Sequence, residues 1–111
     1  MKLNVRKEGE VNVVECSGTM RTGVDVGLRS QVSALVEDGA RRFVFNMAGV
    51  PWMDSGAVGE VTAAGKHIMD SGGQVGLILS KKTKDVFMTF HLHDVFDIYP
   101  DEKAALEKIS D

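Results

Sequence analysis

The run Phe43-Val44-Phe45-Asn46-Met47 is apolar at four of its five positions and lacks the alternation of a strand wetted on one face. Such a run reads as a central strand covered on both sides, and this restricts the chain to folds in which helices cover a sheet. A second run of the same kind, Gln74-Val75-Gly76-Leu77-Ile78-Leu79, follows a helical pattern. Two buried-type strands joined through a helix pair most readily in parallel, because the crossover must return the chain to the same end of the sheet.

Taken in order, the remaining pieces fit that frame. Leu3 and Val5 alternate with Asn4 and Arg6, Glu8-Gly9-Glu10 makes a turn, and Val11, Val13 and Cys16 belong to a second strand, so the opening reads as a hairpin. Ser17 to Arg21 is a loop. Thr22 with Asp25 resembles a capping box, after which Val24, Leu28, Val32, Leu35 and Val36 recur at helical spacing until Gly39. A second helix is expected from about Ser55 to Met69, with Val58, Val61, Gly65, Ile68 and Met69 on one face, stopped by Asp70-Ser71-Gly72-Gly73. The polar stretch Ser80 to Lys84 leads to a third helix carrying Val86, Phe87 and Phe90, and Val95 to Tyr99 reads as a last strand. Pro100-Asp101-Glu102 opens a fourth helix with Ala105, Leu106 and Ile109 as its apolar side. The expectation is one α/β domain over residues 1–111: a mostly parallel sheet of four or five strands, an N-terminal hairpin and about four helices.

Several function classes are disfavoured. A net charge of -3 gives no electrostatic case for nucleic acid. The apolar stretches are too short to span a bilayer, and Met1-Lys2 leads straight into strand-like sequence, so neither a membrane role nor a signal peptide is expected. The single cysteine, Cys16, allows no intrachain disulfide and suits a reducing cytoplasm; it reads most simply as a small buried side chain. Catalytic motifs are missing. The nucleophile elbow G-x-S-x-G would need glycine where Met53 and Ala57 stand, and Gly72, Gly73 and Gly76 enter a strand where a dinucleotide fingerprint would open a helix. There is no Walker lysine motif. His91 and His93, two apart, fall on different faces of a helix or on one face of a strand, with no cysteine or acid at ligand spacing, and His67 is expected to face solvent. The chain is therefore read as a non-enzyme without metal or cofactor.

In open α/β sheets, partners gather beyond the carboxyl ends of the strands. Those ends deliver Gly18 to Arg21, Gly49 to Ser55 and Ser80 to Lys82. Met20, Trp52 and Met53 are the large apolar residues there, and they suggest an exposed contact patch; a Trp52 folded back over the sheet edge is the competing reading. Lys81, Lys82 and Lys84 are by default a solvated run, although Lys81 and Lys82 are placed to touch an acidic partner. Asp54-Ser55 at a helix start is what capping alone selects, and it is equally a plausible phosphate acceptor: a hydroxyl beside a carboxylate, where free N–H groups favour negative charge.

The stretch N-M-A-G-V-P-W-M-D-S-G-A-V-G resembles the signature of STAS domains, most closely the single-domain anti-sigma factor antagonists of bacteria. The likeness covers almost the whole chain, from the hairpin ending in Ser17-Gly18 to the closing F-x-L-x-D-V-F-D-I-Y with Glu102 and Ala105 behind it. It implies a cytoplasmic regulatory switch. Ser55 would be phosphorylated by an anti-sigma factor that is also a serine kinase of the histidine-kinase-like ATPase type. The unmodified protein would bind that partner and free the sigma factor, and a serine phosphatase would reset Ser55. The partner-binding residues on this reading are Thr19, Met20, Arg21, Trp52, Met53, Asp54, Ser55, Gly56, Lys81 and Lys82. The chain departs from the family pattern at Gly56 and Ala57, where a second Ser or Thr and then Gly are usual, at Asn46, where an Asp is common, and at Arg21, where an acid is often found. These departures leave room for a STAS scaffold or sensor-complex subunit without a phospho-switch. A small enzyme or ligand-binding domain using the strand-end loops is a third reading, from another class.

Overall fold

The structure is a computed structural model that describes residues 1–21 and 27–109. Five strands form one sheet in the order β1-β2-β3-β4-β5. β1 (Lys2–Glu8) and β2 (Val11–Ser17) make the expected antiparallel hairpin, and Glu8 pairs with Val11 across a turn in which Gly9 takes φ +62°, a conformation that favours glycine. β3 (Arg42–Gly49), β4 (Gln74–Leu79) and the two-residue β5 (Asp97–Ile98) then add in parallel, with Phe45 of β3 level with Val14 of β2 and Leu77 of β4. The helices are α1 (Gly27–Glu37), α2 (Ser55–Asp70), α3 (Lys81–Thr89) and α4 (Glu102–Ile109), with a short 3₁₀ helix at Leu92–Asp94.

The apolar β3 run is explained by what lies on each side of it. Phe43, Phe45 and Met47 point into the larger core, with Leu28, Val32 and Val36 of α1, Val61, Ala64 and Ile68 of α2, and Phe87 of α3. Val44 points the other way, into a smaller core with Val11, Val13, Ile78 and, from α4, Ala105 and Ile109. Each of these side chains is at most 6% exposed, and full burial of a Val, Leu, Ile or Phe stabilises by roughly 1.5–3 kcal/mol. Asn46 also lies on the α4 side, where its amide donates to Glu102 at 3.3 Å and Glu102 in turn pairs with Arg6. An aspartate at 46 would set a second carboxylate beside Glu102, in a cluster whose cation is Arg6.

The sequence reading needs four corrections. The last strand is Asp97–Ile98, not Val95 to Tyr99: Val95 is exposed, and Phe96 turns into the larger core instead of pairing. Phe96 fits there because position 65 is glycine; a Cβ on Gly65 would come within 2.5 Å of the Phe96 ring. Helix α3 starts at Lys81, inside the polar stretch assigned to a connection, because Ser80 caps it. Phe90 is not on the apolar face of α3; it follows the helix and is 54% exposed. Met69 is likewise exposed, so the buried face of α2 is Ala57, Val58, Val61, Ala64, Gly65 and Ile68. The Thr22–Asp25 capping box and Val24 lie outside the described residues.

Candidate functional site

The carboxyl ends of β2, β3 and β4 are tied into one platform by hydrogen bonds between their loops. Gly18 N donates to Gly49 O at 2.9 Å, Met20 N to Trp52 O at 3.0 Å, and Asp54 N to Met20 O at 3.2 Å, and Met20 and Met53 form an isolated parallel bridge. From the β4 side, Ser80 Oγ donates to Val50 O at 2.8 Å. The loop before α2 is therefore held from both neighbours, and its last turn is fixed before the helix begins.

At that point Asp54 is the N-cap of α2, with extended backbone (φ -82°, ψ 174°), and its Oδ1 accepts from Ala57 N at 2.8 Å. Val58 N closes the first helical hydrogen bond on Asp54 O at 3.0 Å. Ser55 is the first helical residue and is exposed. Capping is thus done by the aspartate, and the structure gives Ser55 Oγ no part in it. Beside Ser55 runs an open apolar groove of about 490 Å³, bordered by Val58, Gly59 and Thr62 of α2 and by Phe90 and Leu92 beyond α3. Sequence pattern, which carries Phe90 on the third helix with Val86 and Phe87, gives no sign of this groove; the structure ends α3 at Thr89 and leaves Phe90 exposed on it.

Around this mouth the expected contact residues separate into two groups. Trp52 is 49% exposed, Arg21, Lys81 and Lys82 are exposed, and Thr19, Asp54 and Gly56 are partly so. Met20 and Met53 are not surface residues: at 0% and 3% exposure they belong to the larger core, drawn in by the bridge that joins their strand-end loops. Of the three large apolar residues expected here, Trp52 alone is exposed.

Other candidate chemistry lies away from the mouth. Burial pushes the Cys16 thiol up to about 12, so it is no nucleophile near neutral pH. His67 is exposed on α2, as expected. His91 and His93 lie on neither a continued helix nor a strand: α3 ends before them, their ring centroids are 6.0 Å apart, and Asp94 stands beside them as an acid at ligand distance, which the spacing did not suggest. Among the described residues, no helix is long and apolar enough to cross a membrane.

Comparison with known proteins places this geometry. The STAS domain family model matches residues 2–105. An anti-sigma factor antagonist from Mycobacterium paratuberculosis superposes with a TM-score of 0.88 at 22% identity, covering 99% of this chain and 94% of its own. The anti-sigma factor antagonist SpoIIAA in its unphosphorylated form gives 0.78 at 18% identity, covering 98% of both chains. The Bacillus cell fate determinant SpoIIAA in its phosphorylated form gives 0.77 at 20%, covering 97% of this chain and 99% of its own. Among curated protein sequences, none is significantly similar. At these identities the structures establish a shared fold, and the family match extends over nearly the whole sequence: the chain belongs to the STAS domain family.

Proposed function

We propose that this protein is a cytoplasmic anti-sigma factor antagonist of bacterial type, a protein-binding module switched at Ser55. The observation that carries the reading is the division of labour at the start of α2. Asp54 does the capping, so the adjacent hydroxyl is left exposed on a braced platform. Its partners are an anti-sigma factor with serine kinase activity of the histidine-kinase-like ATPase type and a serine phosphatase. Trp52, Arg21, Thr19, Gly56, Lys81 and Lys82 surround the acceptor and form the contact surface, and Met20 and Met53 support it from below.

The switch follows from electrostatics. Phosphorylation adds roughly -1.5 to -2 charges. In the free protein, water and the helix N-terminus accept that charge, so the fold need not rearrange. In a complex, the phosphate loses water beside Asp54, and a like charge about 4 Å away costs ~1–4 kcal/mol per unit charge between surface-like and aqueous extremes. Each 1.4 kcal/mol is about tenfold in affinity, so the middle of that range already releases the partner.

The test is incubation with ATP and the cognate anti-sigma kinase, followed by intact mass and affinity measurement. Wild type is expected to gain one phosphate and lose at least about tenfold in affinity for the kinase, and Ser55→Ala to gain none while still binding. Unmodified wild type in the presence of a kinase that binds it would leave a scaffold role in place of the switch.

A further inference from the structure

We propose that His91, His93 and Asp94 form a binding site for a late first-row divalent cation of the zinc type, independent of any phosphorylation at Ser55. After α3 the chain turns through His91, which has φ +57° and is the only non-glycine residue with positive φ among the described residues. In a continued helix, residues two apart point roughly 200° away from each other. The left-handed turn abolishes that separation, so the two imidazoles stand 6.0 Å apart, centroid to centroid. Behind them the backbone is fixed by Asp94 N to His91 O at 3.2 Å and Phe96 N to Leu92 O at 2.9 Å, and by burial of Phe96 against Gly65.

One donor atom from each of the three side chains lies within 4.8 Å of the others, and His93 Nε2 is 3.6 Å from Asp94 Oδ1. A tetrahedral ion bonded at roughly 2.0–2.2 Å holds its donors about 3.3–3.6 Å apart. The His93–Asp94 pair already has that spacing, and the exposed His91 side chain has to close by at most roughly 1 Å. Two imidazoles and one carboxylate select zinc, cobalt, nickel or copper over magnesium and calcium, which prefer all-oxygen shells. Three protein ligands leave a position open, and because all three are exposed the ion has a path in. The His91 side chain makes no cap hydrogen bond that metal binding would have to break. Leu92, between the histidines, lines the groove that Ser55 also borders, whereas His91, His93 and Asp94 do not line it.

Untagged full-length protein, stripped with chelator, provides the test. Titration with Co²⁺ should produce visible d–d absorption saturating at one ion per chain, displaced by Zn²⁺ and not by Mg²⁺. His93→Ala and His91→Asn, the latter keeping a residue that tolerates the left-handed turn, should each weaken Zn²⁺ binding about tenfold or more, with unchanged far-ultraviolet circular dichroism. His67→Ala should bind as wild type does. Paramagnetic Cu²⁺ should broaden the backbone signals of residues 90–95 first. Absence of saturable binding at millimolar Zn²⁺, full-strength binding in the His91→Asn/His93→Ala double variant, or broadening centred elsewhere would each overturn the site.

Discussion

Helices α2 and α3 begin in nearly the same way and are prepared for different work. Each follows the carboxyl end of a parallel strand, β3 or β4, and each is capped by a residue with extended backbone whose side-chain oxygen accepts from the amide three residues on. At α3 the cap is a hydroxyl, Ser80, and it is fully engaged: with Val50 O at 2.8 Å, with Thr83 Oγ1 at 2.8 Å, and with Thr83 N at 3.4 Å. The residues after it are Lys81 and Lys82, the unfavourable charge for a helix start. At α2 the cap is a carboxylate, and the hydroxyl comes one residue later, exposed and relieved of capping. The helix field and the free amides are common to both mouths. The difference is whether the serine oxygen is already committed to holding the structure together, and on that ground the proposed acceptor is Ser55 and not Ser80.

The largest effect that can break this contrast is all-or-none. With ATP and the cognate kinase, Ser80→Ala should incorporate one phosphate as wild type does, and Ser55→Ala none. Tryptic mass mapping places the phosphate; a phosphate on Ser80, or a full phosphate in Ser55→Ala, would show that commitment to structure does not protect a helix-start serine. Stability should divide in the opposite sense. Ser80→Ala removes a cap and the brace to Val50 and should cost about 1–2 kcal/mol. Asp54→Ala should cost about 1 kcal/mol. Ser55→Ala should stay within about 0.5 kcal/mol of wild type. Urea midpoints at constant slope read all three, and a Ser55→Ala loss as large as that of Ser80→Ala would mean that Ser55 is structural after all.

Much of this contrast was legible in the sequence, because it depends on local chemistry. Asp54 announces a helix start by type, and the apolar runs of β3 and β4 demand helices on both sides; Ser80 caps α3 from within a polar stretch that reads as a connection. The losses occurred where a distant contact overrules local pattern. Met20 and Met53 look like exposed loop residues until the bridge between their loops pulls both into the core. Val95 to Tyr99 has the composition of a strand, but Phe96 is buried in the slot over Gly65 and pairing is confined to Asp97–Ile98. Phe90 keeps helical spacing with Phe87, yet α3 ends before it and leaves it on the groove. His91 and His93 come together through the same helix end, which spacing alone could not reveal.

The smallest effect concerns the lysines that distinguish the α3 mouth. Lys81 and Lys82 are exposed in the first turn, where two positive charges oppose the partial positive charge of the helix N-terminus. Replacing both with Gln should therefore stabilise the free protein, by about 0.3–1 kcal/mol per site at low salt, with the gain fading as salt screens it. If the pair is retained for an acidic surface on the partner, the same variant should associate more slowly, with a shallower dependence of the on-rate on ionic strength and little change in the off-rate. Stopped-flow association at two salt concentrations separates the two roles. A more stable variant that binds at the wild-type rate would remove Lys81 and Lys82 from the contact surface and leave the α2 mouth, with Trp52 and Ser55, as the part of the platform the partner reads.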